Sequence, residues 1–115
     1  MALTNHGTTR NVSGLTNEQT RLIKAFLQGA AYTWIKNSPG VPFAARDLVG
    51  GINADWNGTP LQALYEKHTN AGKTHDQAFE AAAIDLGWLL KSALADDARF
   101  FDVDPTGYAS EYVWR

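Results

Sequence analysis

The chain contains no cysteine, which removes disulfides, thiolate zinc sites and cysteine nucleophiles at once. Charge is also slightly sparse, at 19% of residues, while 44% are hydrophobic. That balance belongs to a globular chain, so disorder is expected only near the N-terminus. No apolar run approaches the roughly 18 residues of a membrane span, and no basic stretch leading into an apolar one opens the sequence. The expectation is a small soluble protein of the cytoplasm that engages no membrane.

At 115 residues the length suits one domain with a core of its own. The net charge of −2 conceals an uneven distribution. Residues 1–74 carry seven basic and four acidic side chains, a balance of +3, whereas residues 75–115 carry three and eight, a balance of −5. An anionic partner is therefore expected to approach the first part and to be repelled by the second.

Residues 1–15 show no hydrophobic period and read as a flexible tail, leaving 16–115 as the domain. Thr16-Asn17-Glu18-Gln19 has the residues of a capping box. Two apolar rows follow at helical spacing, Leu22, Phe26, Ala30, Trp34 and Ile23, Leu27, Ala31, Ile35, which together predict one broad buried stripe. Asn37-Ser38-Pro39-Gly40 stops that helix. Phe43 to Ile52 reads as a short strand or bridge entering a short helix that ends at Gly50-Gly51. Asp55-Trp56-Asn57-Gly58 is a turn, and Thr59-Pro60 marks the start of another helix, with Gly72 as a terminator.

Thr74-His75-Asp76-Gln77 forms a second capping box. It opens the longest predicted helix, about residues 75–96. Phe79, Ala82, Ala83, Leu86, Leu90, Ala93 and Leu94 mark its main apolar face, while Ala81, Ile84 and Trp88 lie on a different side. A helix apolar on two sides is either central or presents a contact surface. Arg99 to Val103 and Tyr108 to Arg115 then read as strands. They are joined by Asp104-Pro105-Thr106-Gly107, whose residues suit a type I turn. The fold class is mainly α with a C-terminal β-hairpin, one face of which must pack on the helices.

This order of elements resembles a winged helix-turn-helix domain with one extra helix inserted. Phe43-Ala44-Ala45-Arg46-Asp47-Leu48 looks like its first strand and second helix. Ala83 to Lys91 looks like its recognition helix, and Tyr112-Val113-Trp114 like the closing strand of its wing. The resemblance implies a helix in the major groove and a wing on the DNA backbone. The charges oppose that use. Asp76, Glu80, Asp85, Asp96 and Asp97 face Lys91 alone, and Asp102 and Asp104 sit at the wing, whereas duplex DNA demands Lys and Arg at the contact. Winged helices also serve protein interaction, which these charges fit better.

Motifs that suggest chemistry have simpler explanations. Gly72-Lys73-Thr74 has the ending of a P-loop, but residue 67, where the first glycine would stand, is lysine. His6, His68 and His75 lack metal-ligand spacing. His68 could meet Asp76 or Asp55 in space. No serine occupies a nucleophile elbow. No catalytic residue, metal site or cofactor is therefore assigned. Arg21 and Lys24 share a face of the first helix, as a solvated face or an anion contact.

Two functions stay open. The first is a non-catalytic interaction module, with Trp56, Ile84 and Trp88 as contact residues and a homodimer through the long helix as one form. The alternative is a DNA-binding regulator with Lys73, His75, Gln77, Lys91 and Arg99 nearest the duplex. Trp34 and Trp114 are expected in the core, and Trp56 and Trp88 nearer the surface, where tryptophan favours interfaces.

Overall fold

The same local device opens both long helices. In the computed structural model, which describes residues 11–50, 55–97, 101–104 and 110–114, Thr16 Oγ1 accepts from Gln19 N at 3.0 Å and Gln19 Oε1 accepts from Thr16 N at 2.9 Å. This capping box starts α1 (Asn17–Asn37). Thr74 and Gln77 repeat it, at 3.4 and 3.2 Å, ahead of α4 (His75–Ala95). Each box satisfies two amide donors that a helix N-terminus would otherwise leave unpaired.

Two shorter helices lie between them, α2 (Ala45–Val49) and α3 (Gln62–Asn70). Asp47 substitutes for a cap side chain at α2, its carboxylate accepting from Ala44 N at 2.8 Å. Gly50 ends that helix at φ +89°, a left-handed conformation natural to glycine. Its neighbour Gly51 lies outside the described residues. Before α3, Thr59 Oγ1 donates to the Trp56 carbonyl at 2.7 Å and accepts from Leu61 N at 3.2 Å. Thr59 thus closes a turn, and the helix itself begins three residues later, at Gln62.

The core forms where α1 and α3 pack on α4. Only one of the two expected rows of α1 is buried: Ile23, Leu27, Ala31 and Ile35. Leu22, in the other row, remains 43% exposed, and Trp34 is half-buried with Nε1 donating to the Val41 carbonyl at 2.9 Å. A single neighbouring helix can cover one such row fully, and the adjacent row falls at the rim. On α4 the buried residues are Ala78, Ala82, Leu86, Leu89, Leu90, Ala93 and Leu94, with Ala95 covered at the last turn. Ala78, Leu89 and Ala95 join the expected set, Phe79 is only half-buried, and Ala83, turned about 100° from Ala82, leaves it for the surface.

The C-terminal strands β1 (Phe101–Asp104) and β2 (Glu111–Trp114) form an antiparallel hairpin pairing Phe101 with Trp114 and Asp104 with Glu111. Phe101, Val103 and Tyr112 point into the core, and Asp104 and Glu111 out of it. An isolated bridge adds Phe43 beside Tyr112, with both backbone hydrogen bonds at 2.8 Å. The domain is therefore a mainly α, small α+β structure. Residues 105–109, which include the rest of the expected turn, and the Trp114 side chain lie outside what is described.

Of the expected tail, residues 1–10 lie outside the described residues. Val12 and Leu15 pack on the core, and the Lys67 ammonium donates to the Ser13 carbonyl. Residues 11–15 are thus laid against α3.

Burial pushes the Tyr112 phenol up to about 12, a shift opposed by its hydrogen bond with Ser110. The folded state holds this proton more tightly than the unfolded chain, where the phenol ionises near pH 10. The associated stability is present in full below pH 10 and is lost as pH rises toward 12. Alkaline denaturation should therefore begin near pH 10 in the wild type and move upward in Tyr112→Phe. A midpoint shared by the two proteins would refute the assignment.

Candidate interaction surface

Helix α4 is 21 residues long, or about 31 Å. With its buried row turned toward α1 and α3, the residue facing most directly away is Ile84, about 180° from the centre of that row. Ile84 is 59% exposed. One turn on, Trp88 is half-buried, and the Lys91 Nζ stands 5.6 Å from the centroid of its ring, a cation–π contact. Gly87, on the other side of Ile84 from Trp88, opens directly to solvent, since a Cβ added there meets nothing within 4 Å. Ala81 is small and half-buried, and Glu80 is exposed. The outer face of α4 is thus an apolar strip with one acidic and one basic end.

Ile84 and Trp88 stand together as the sequence suggested. Trp56 does not join them, and its expected exposure is corrected. It is 5% exposed, with its ring stacked on Phe79 at 5.1 Å and Nε1 donating to the Val49 carbonyl at 3.2 Å. The polar turn misled the sequence reading. Asp55 Oδ1 accepts from Asn57 N at 2.9 Å, which fixes the backbone at the surface while the indole turns inward. Its single donor is satisfied there, so burial costs little.

The residues of the DNA reading do not gather into one basic patch. Lys73, His75 and Gln77 are exposed at the head of α4, but His75 Nδ1 shares a hydrogen bond with the Tyr65 hydroxyl at 2.8 Å. Lys91 lies about 24 Å further along the helix and is engaged with Trp88. Arg99 lies outside the described residues.

Three polar contacts between elements escaped the sequence reading. Asp85 Oδ2, on α4, accepts from Lys67 Nζ and His68 Nε2 of α3, both at 2.8 Å. His68 does find a carboxylate, though neither Asp55 nor Asp76 supplies it. Asp97 Oδ2 accepts from Gln28 Nε2 at 2.7 Å and the Tyr32 hydroxyl at 2.6 Å. Lys24 pairs with Asp96 at 2.6 Å. Such partners are set by how helices pack, and no local spacing encodes them.

Hollows lie on the surface of the described residues. One, of about 480 Å³, lies between α1 and the end of α4, and its cations Arg21 and Lys24 are already paired with Glu18 and Asp96. Another, of about 410 Å³, is rimmed by Asp55, Trp56, Tyr65, His75 and Phe79, whose four rings largely contact one another. Among the described residues no three His, Asp or Glu side chains come together in a group that could hold a metal ion. No helix among them is long and apolar enough to cross a membrane. Comparison with protein families, with curated proteins and with solved structures gives no significant match.

Proposed function

We propose that the protein is a small non-catalytic interaction module of winged-helix type that binds a protein partner through the outer face of α4. The observation that carries this reading is Ile84, a large aliphatic side chain 59% exposed in the middle of a long helix, beside Trp88. An exposed aliphatic side chain beside a half-buried aromatic one, flanked by charges, has the composition of a contact surface, with an aromatic anchor and a polar rim. The winged-helix assignment is supported by the bridge from Phe43 to Tyr112, which adds the segment before α2 to the sheet of the closing strand.

The same helix argues against the groove of DNA. Asp76 and Glu80 are exposed along it, and each would meet phosphate or base edges that repel it. Sedimentation of the wild type and of Ile84→Glu tests the reading. The wild type should sediment with a mass above its 12.6 kDa as concentration rises, and Ile84→Glu should remain monomeric with an unchanged fold. Retention of mixed-sequence duplex DNA at about 50 mM salt, lost on Lys73→Ala or Lys91→Ala, would replace the interaction reading with the DNA one.

A further inference from the structure

We infer that the partner of this face is a second copy of the chain, with the two α4 helices packed antiparallel about a twofold axis beside Ile84. The inference rests on the interaction reading above and adds to it the identity and direction of the partner.

The sequence of the face selects that arrangement. At about 100° per residue, Glu80, Gly87 and Lys91 lie on one flank of Ile84, and Ala81 and Trp88 on the other. A twofold axis across two antiparallel helices brings each flank against the same flank of the second copy. Ile84 then meets Ile84 at the axis. Trp88 comes to rest over Ala81, one helical turn to the other side, where the small side chain leaves room for an indole. On the opposite flank Glu80 comes within reach of Lys91, twice by symmetry, as the ammonium exchanges its place over the Trp88 ring of its own chain for the carboxylate, and Gly87 leaves the helices free to approach.

A parallel pair reverses these outcomes. Each flank would then stand against the other flank of the second copy, so that Glu80 and Lys91 face Ala81 and Trp88 and find no opposite charge. Charge complementarity of the face with itself therefore exists in one direction only. Such a self-complementary patch is what a closed dimer requires. One helix face buries less than the roughly 800 Å² per partner of a standard interface, so association is expected to be reversible and weak, with Kd on the order of micromolar or above.

Reciprocal charge exchange tests the arrangement. Glu80 is exposed and Lys91 lies off the core, so Glu80→Lys and Lys91→Glu should fold as the wild type does, checked by circular dichroism. Each alone places like charges at both contacts and should weaken the dimer about tenfold. Mixed in equal amounts, the two variants restore both pairs. Native mass spectrometry should then show mostly the heterodimer, at a level near that of the wild-type dimer. Absence of rescue, in a protein whose dimer is still abolished by Ile84→Glu, would overturn the antiparallel arrangement and leave the interaction reading standing. A wild type that stays monomeric at every concentration would overturn the second copy as partner. A dimer that survives Ile84→Glu would overturn both.

Discussion

Phe43→Ala should destabilise the domain by about 3–5 kcal/mol, the cost of deleting a buried aromatic ring. Phe43 is fully buried and joins the helical and strand layers. Its ring lies 6.3 Å from Trp34 on α1, 6.4 Å from Phe101 on β1 in an edge-on arrangement, and 6.0 Å from Tyr112 on β2. Its backbone exchanges both hydrogen bonds with Tyr112. Alanine keeps the backbone bridge but loses the transfer energy of the ring, opens a cavity among three aromatic neighbours, and forfeits their edge and tilted contacts. A domain of this size has roughly 5–15 kcal/mol to lose. The urea midpoint should therefore fall steeply with an unchanged slope. A loss below about 1 kcal/mol would mean that the strands and helices do not share one core.

Asp97→Ala should cost about 2–4 kcal/mol, a large effect for a polar residue. Asp97 is only 7% exposed, and it lies just beyond the C-terminus of α4, where the helix dipole disfavours negative charge. Two donors one turn apart on α1, Gln28 and Tyr32, converge on its Oδ2. Removing the carboxylate withdraws that shared acceptor in a part-buried site, which costs more than the two bonds are worth in exchange with water. Asp97→Asn retains a carbonyl oxygen and should lose clearly less. In a double-mutant cycle, Tyr32→Phe and Asp97→Ala should couple by at least about 0.5 kcal/mol. Additive losses would show that the Tyr32 hydroxyl contributes nothing through this carboxylate.

The parts of the fold that were legible in the sequence are those decided by neighbours in the chain. Thr16 with Gln19 and Thr74 with Gln77 mark the start of both long helices to the residue, because a capping box is built within four positions. The hairpin was legible from the alternation that sends Phe101, Val103 and Tyr112 inward. Within the described residues its strands pair from Phe101 with Trp114 to Asp104 with Glu111. Trp56 was misread because its polar turn says nothing of Phe79, 23 positions away, on which it stacks. The breadth of the buried stripe of α1 was overestimated for a related reason: periodicity gives a face, and packing decides how much of it is covered. Of the candidate surface, Ile84 and Trp88 were legible as apolar residues off the main row. The open side at Gly87 and the shared flank of Glu80 and Lys91 follow once the row that faces the core is known.

Amide and indole chemical shifts recorded as the protein is diluted test the interaction surface most directly, because they report where contact occurs and not only whether it does. The expected result is a concentration-dependent shift confined to the outer face of α4, at Glu80, Ile84 and Lys91 and at the indole N–H of Trp88, with Leu27 and Tyr112 unmoved. Shifts centred instead on Leu22 and its neighbours on α1, or spectra that do not change with concentration, would contradict a dimer formed through α4.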